Sequence, residues 1–367
     1  MRCCGQRAVF RFAALALSCR RSSPPTRARP PSARHAVTHR DRPAARKGDR
    51  SMSQSFTAAA DAPVRAQPAV VSVSPVVLPA PERGVDLRVR ISAPVTGSHL
   101  PILVFAHGFE LSSEAYAPLA SHWAAHGFVV IQPTFLDSRT VGLRPDDPRA
   151  PVVWRIRVGD MKRVLDHLDL VEGAVPGLRG RVDRTRVVAA GHSFGAHTTS
   201  LLLGARVVGA DGNTGEDLRD ARIQAGVLLC TAGRGGDDLS AFAKEHLPYL
   251  NQSYATMTAP ALVVAGDADR SALTVRGPDW FEDAYALSPG DKDLVTLFGG
   301  EHMLGGISGV RVTETTDENP ERVAAVQRLT TAYLRSALDP SDPAWATARR
   351  ELVEGPTPLG RAESKRA

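Results

Sequence analysis

Arg186-Val-Val-Ala-Ala-Gly-His-Ser-Phe-Gly-Ala-His-Thr-Thr-Ser-Leu-Leu-Leu203 is the stretch from which the fold of this 367-residue chain is read. Val187–Gly191 has the short apolar run of a buried strand, and Phe194–Leu203 has the composition of a helix. Between them, Gly191-His192-Ser193-Phe194-Gly195 sets a serine on a tight strand-to-helix turn. Glycines two before and two after the serine remove the Cβ atoms that would collide in such a turn. The pentapeptide alone recurs by chance, and the strand before it and helix behind it give it weight. Ser193 is therefore the candidate nucleophile.

A serine hydroxyl is a weak nucleophile until a base takes its proton. In enzymes built on this turn the acid and then the histidine follow the serine along the chain. Downstream of Ser193 stand His197, His246 and His302. His197 lies one turn along the helix, and His246 precedes the penultimate candidate strand. His302 follows the last apolar run, in the glycine-containing loop Phe298-Gly-Gly-Glu-His-Met303, which suits a general base that must reach across to the serine. For the acid, Pro260-Ala-Leu-Val-Val-Ala-Gly-Asp-Ala-Asp269 is a buried strand ending in a turn, with Asp269 the first choice and Asp267 the alternative. Its task is to fix the imidazole tautomer and stabilise the imidazolium. Upstream, Leu103-Val-Phe-Ala-His-Gly-Phe109 is a strand running into a turn. The backbone N–H groups of Phe109 and Phe194 are the expected oxyanion donors, and His107 reads as a floor residue held by hydrogen bonds.

Around this centre strands and helices alternate. Val70–Val77 and Val85–Ser92 read as early strands, and Pro101–Ala106, Phe128–Pro133, Ala225–Cys230, Ala261–Ala265 and Asp293–Phe298 as further ones. Ser112–His126, capped by Ser112 or Ser113, Val153–Val171 and the amphipathic Pro320–Leu338 read as helices. The pattern predicts an α/β domain over residues 66–340, a doubly wound, mostly parallel sheet of about eight strands. Residues 341–367 read as a partly frayed extension. About 30 residues separate Cys230 from Ala261, too few for a large cap domain, so the site is expected to be an open cleft. Trp280 and Phe281 would line it or pack beneath a loop.

The net charge of +6 suggests a polyanion partner, but its distribution does not. Residues 1–50 hold 13 basic and 2 acidic side chains, leaving 32 basic and 37 acidic in the remainder. The folded part is mildly acidic, and no nucleic-acid partner is expected. No run of 18 apolar residues predicts a transmembrane helix. Cys230 alone lies outside the tail, so no internal disulfide is expected and a cytoplasmic location fits. The Arg-, Pro- and Ser-rich segment 1–65 is expected to be disordered. Three readings fit it: a secretory signal with Phe12–Leu17 as apolar centre, which would make the protein secreted, an organellar targeting segment, or untranslated sequence ahead of a start at Met52. Asp211-Gly-Asn-Thr-Gly-Glu216 lacks the ligand alternation of a calcium loop and reads as a solvated turn. No cluster has zinc-ligand spacing.

The His-Gly-Phe turn at 107–109, the phrase Leu119-Ala-Ser-His-Trp-Ala-Ala-His-Gly-Phe-Val-Val130 and Val182-Asp-Arg-Thr-Arg-Val-Val-Ala-Ala-Gly-His-Ser-Phe-Gly195 together resemble the α/β-hydrolase superfamily. Within it they look most like the branch of chlorophyllases, platelet-activating-factor acetylhydrolases and bacterial polyester hydrolases. The likeness spans about residues 70–338. It implies the α/β-hydrolase fold and hydrolysis of small or lipid-like carboxylic esters without metal or organic cofactor. Phe194 stands where plant chlorophyllases carry Arg, which turns the expectation away from chlorophyll itself. Dienelactone hydrolases are similar too but use Cys where this chain has Ser193. An acyltransferase would use the same residues with an alcohol in place of water, and a silent receptor on this fold is the reading from a different class.

Overall fold

The computed structural model describes residues 68–355 and 357–366, so the readings made for residues 1–65 fall outside the described residues. Nine strands make the main sheet: β1 (Val70–Leu78), β2 (Leu87–Pro94), β3 (Leu100–Ala106), β4 (Val129–Pro133), β5 (Val182–His192), β6 (Ile223–Leu229), β7 (Ala261–Gly266), β8 (Lys292–Leu297) and β9 (Gly360–Lys365). Their spatial order is β1-β2-β4-β3-β5-β6-β7-β8-β9. Every pair from β4 through β3 to β8 is parallel, while β1, β2 and β9 are antiparallel to their neighbours. The expected doubly wound, mostly parallel sheet is present, with one strand more than the sequence suggested.

Strand periodicity builds two cores. Along β3, Leu103 and Phe105 face one side and Ile102, Val104 and Ala106 the other. The first set packs under helices α1 (Ala117–Ala125), α7 (Pro320–Leu338) and α8 (Ala344–Glu354). The second packs under α2 (Val153–Asp166), α3 (Leu168–Ala174) and α4 (Phe194–Leu202). Side chains alternate across a strand, so a sheet covered on both faces must be apolar throughout, as β3 and β7 are. Short helices α5 (Ala241–His246) and α6 (Asp283–Ala286) sit in connections. Helix α7 begins as the sequence predicts: Asn319 accepts the Arg322 N–H, Pro320 opens the first turn, and Glu321 complements the positive helix end.

Three local expectations differ. The helix expected from Ser112 begins only at Ala117, behind Tyr116, whose left-handed φ of 62° starts a new turn. Ser113 instead accepts a hydrogen bond from the Thr134 hydroxyl. The helix expected over 153–171 divides at His167, where φ is −116° and ψ 32° and the ring Nδ1–H donates to the Arg163 carbonyl. Residues 341–367, expected to fray, form α8 and β9. Trp345, Ala348 and Leu352 bury against α7, and β9 pairs antiparallel with β8.

Strand order reverses between β3 and β5, since β4 lies on one side of β3 and β5 on the other. In open α/β sheets the crevice at such a reversal, beyond the strands' carboxyl ends, is where ligands bind. Phe109 follows β3 and Ser193 follows β5, so both arrive at that crevice.

Candidate active site

Ser193 sits between β5 and α4 with φ 56° and ψ −121°, a conformation rare for any residue with a side chain. The flanking glycines make it possible. A Cβ on Gly191 would lie 2.2 Å from the Gly195 carbonyl oxygen, and one on Gly195 would lie 2.0 Å from the Ala106 oxygen. Both obstacles are backbone and cannot rotate away. Gly195→Ala is accordingly expected to destabilise the fold by about 3 kcal/mol or more, the upper end of overpacking costs. A denaturant melt midpoint equal to wild type would contradict this.

From Ser193 a hydrogen-bonded line runs along the carboxyl ends of the parallel strands to the turn after β7. His302 Nε2 lies 2.9 Å from Ser193 Oγ, and His302 Nδ1 lies 2.9 Å from Asp269 Oδ2. A carboxylate can only accept, so Nδ1 carries the hydrogen and Nε2 presents its lone pair to the serine hydroxyl. The Asp269 side chain is 0 % exposed and that of His302 12 %. Burial alone would lower the His302 pKa, but the charge and hydrogen bond of Asp269, with Asp317 beyond, raise it above the ordinary 6.5. Asp267, the alternative acid, is turned elsewhere, with its Oδ1 accepting the Gly299 N–H at 2.7 Å.

Two further groups hold the imidazole loop, and sequence reading missed both. Asp317 Oδ2 accepts from the N–H groups of Glu301 and Gly305 at 2.9 and 3.0 Å and from Arg322 Nη1 at 2.7 Å, bracketing His302 on either side. His192, inside the serine pentapeptide, lies 2.7 Å from the His302 carbonyl through Nε2 and 2.7 Å from the Tyr116 hydroxyl through Nδ1. The polarity of this chain is forced. The carbonyl accepts, so Nε2–H donates, Nδ1 accepts from the Tyr116 O–H, and that oxygen accepts the Gly108 N–H at 3.1 Å. The turn after β3 is thereby tied to the loop after β8. Burial of His192, with His302 nearby, lowers its pKa to about 3 and keeps it neutral.

His107, Cys230 and the cavity complete the site. His107 Nε2 accepts the Phe135 N–H at 3.1 Å, which leaves Nδ1–H to donate to the Gly108 carbonyl at 2.7 Å, the floor position expected of it. Phe109 and Phe194 both border the cavity beside Ser193, with ring centroids 6.2 Å apart. That cavity is lined mainly by apolar side chains, among them Leu247, Tyr249, Leu250, Trp280 and Phe281. Trp280 and Phe281 both line it and pack beneath their loop, each nearly fully buried. The short 230–261 connection contributes one wall of this cleft through Ala232, Leu247, Tyr249 and Leu250. A second recess opens across Ser193 and His302 toward Glu110, Arg139 and Glu314. Cys230 is buried beside Asp269, and burial with that charge holds it as a neutral thiol. His192, Cys230 and His302 bring ligand-type atoms within 4.8 Å of one another, a cluster that sequence spacing hid. All four ring nitrogens of the two histidines are engaged in hydrogen bonds, to Tyr116, the His302 carbonyl, Asp269 and Ser193. Asp211, in the supposed calcium-like turn, is hydrogen-bonded to Asn213.

Residues 69–206 match the family model described as Chlorophyllase, a span holding Phe109 and Ser193 but neither Asp269 nor His302. Among curated proteins the chain is similar to Cutinase est2 of Thermobifida alba, at 24 % identity over 206 residues, 56 % of this chain and 54 % of that protein. The chain thus spans about half the length of the curated relative it matches. Among the described residues, no helix is long and apolar enough to cross a membrane.

Proposed function

We propose that this chain, which has the α/β-hydrolase fold and is similar to the chlorophyllase and polyester-hydrolase branch, cleaves carboxylic esters through an acyl-enzyme on Ser193. The observation that carries this reading is the Asp269–His302–Ser193 line, 2.9 Å at each link, at the mouth of an apolar cavity. His302 Nε2 takes the Ser193 proton as Oγ bonds to the ester carbonyl carbon. The carbonyl oxygen becomes an oxyanion facing the N–H groups of Phe109 and Phe194. As the carbon–oxygen bond to the alcohol breaks, His302 passes the proton to the leaving oxygen. Water then repeats the sequence: His302 takes its proton, its oxygen attacks the acyl carbon, and Ser193 regains its hydrogen as the acid leaves. Asp269 accepts the His302 Nδ1–H throughout and holds the imidazolium in place.

The apolar cavity suits the acyl chain, and the recess beside Arg139 and two glutamates suits a polar alcohol. Each methylene buried in the cavity contributes about 0.8 kcal/mol, roughly fourfold in kcat/KM, until the space is filled. Across a p-nitrophenyl ester series from acetate to palmitate, kcat/KM is expected to climb to a medium chain length and then fall. No turnover of any member would sink the reading. A flat profile would sink the assignment of the cavity to the acyl group.

A further inference from the structure

Behind the cavity wall lies an ion pair that the reaction as described does not use. Arg157, on α2, is 0 % exposed, and its Nε and Nη2 grip both oxygens of Asp137 at 2.8 and 2.7 Å. Its guanidinium lies between the rings of Phe135 and Phe194, 4.3 Å from each centroid. Its remaining hydrogen bonds go to the turn after β3: Nη1 donates to the His107 carbonyl at 2.8 Å and Nη2 to the Gly108 carbonyl at 3.3 Å. Asp137 Oδ2 accepts the Glu110 N–H from the same turn at 3.4 Å. One buried pair therefore holds backbone groups on both sides of Phe109.

The Gly108 carbonyl and the Phe109 N–H belong to one planar trans peptide and point in opposite directions. That carbonyl takes bonds from His107 Nδ1 at 2.7 Å, from the Leu111 N–H at 3.3 Å and from Arg157. Fixing the carbonyl on the guanidinium side fixes the direction of the N–H on the other. A cationic donor on the oxygen also polarises the peptide and strengthens its N–H as a donor. The second oxyanion residue, Phe194, has its ring on the same guanidinium. Stability alone explains such a pair poorly, because a buried ion pair is often matched or exceeded by apolar side chains of similar volume.

We propose that Arg157, paired with Asp137, is a positioning residue for the oxyanion hole: it aims and polarises the Gly108–Phe109 peptide from behind and seats Phe194 against the same cation. The inference rests on the ester-hydrolase reading above. It requires Arg157 to matter to the tetrahedral state and little to the bound ester.

The test joins Asp137→Asn to Arg157→Met, which removes both charges together and leaves an amide oxygen for the Glu110 N–H. Kinetics on p-nitrophenyl butyrate and affinity for phenylboronic acid, which forms a tetrahedral adduct on a serine, are compared with wild type. Losing one oxyanion donor outright costs about 10²–10³, so misdirecting one is expected to lower kcat about tenfold to hundredfold. Phenylboronate affinity should fall in parallel, with KM within about twofold of wild type. Arg157→Lys, which keeps the charge but not the fork, should show a smaller loss with the same split and decides the matter if the double variant does not fold. A folded variant whose kcat and phenylboronate affinity stay within about twofold of wild type overturns the proposal. So does a rise in KM with kcat unchanged. A wild type silent toward both esters and boronate sinks the hydrolase reading, and this inference with it.

Discussion

Ser193→Ala should lower kcat/KM for p-nitrophenyl butyrate by roughly 10⁵-fold, leaving the residual rate that oxyanion donors and binding alone supply. The size of the loss follows from how few substitutes the site offers. His302 Nε2 meets Ser193 Oγ at 2.9 Å, and the neighbouring Cys230 is held as a neutral thiol, not the thiolate needed for attack. Alanine also relieves none of the backbone demand at this position, whose φ of 56° depends on Gly191 and Gly195. The variant should fold and still bind substrate, with KM little changed. A fluorophosphonate probe should add its mass to wild type and not to the variant. Activity near the wild-type level in the alanine protein would end the acyl-enzyme proposal.

The next largest loss is expected from Asp269→Asn, about 10⁴-fold in kcat, accompanied by a shift in pH dependence. An amide at this position can donate to Nδ1, which favours the tautomer with hydrogen on Nε2 and leaves Ser193 without a base. The pH argument has a definite sign. His302 must be neutral to accept a proton, and Asp269 is the main cause raising its pKa above 6.5 against the opposing effect of burial. In wild type the rising limb of kcat/KM should therefore lie above pH 6.5. Without the carboxylate, burial dominates and the limb should move to lower pH. Asp267→Asn is the contrast: its Oδ1 only accepts the Gly299 N–H, a bond an amide oxygen can keep, so rate and profile should stay near wild type. A limb unmoved in the Asp269 variant would separate Asp269 from the His302 titration.

What could be read in the sequence was what leaves a periodic or stereochemical mark. Buried strands such as β3 and β7 announce themselves as unbroken apolar runs, and the serine turn does so because two glycines are sterically obligatory. Asp269 and Asp267 were separable only as a preference, since two residues along a turn can point either way. Arg157 and Asp137 were not legible as a pair. In sequence one is a charge on a helix and the other a residue in a polar loop, and their meeting depends on α2 packing beneath the turn after β3. His192 and Tyr116, 76 positions apart, meet for the same kind of reason. β9 escaped because Gly360-Arg-Ala-Glu-Ser-Lys365 has almost no apolar content. It is held by the ladder with β8 and by charges, such as Arg361 on Glu282 and Arg366 on Asp293.

That polar strand has a bearing on the life of the chain before it is fully folded. β8, Lys-Asp-Leu-Val-Thr-Leu, is buried along its whole length and is synthesised more than sixty residues ahead of its partner. Until β9 arrives, β8 offers an unpaired row of amides and carbonyls beside apolar side chains, the surface from which chains recruit one another into aggregates. Once in place, β9 turns charged side chains outward and replaces a sticky seam with a water-loving hem. Truncating the protein after α8 would leave that seam open. Such a product should gather in inclusion bodies even though every group of the proposed proton line is still encoded.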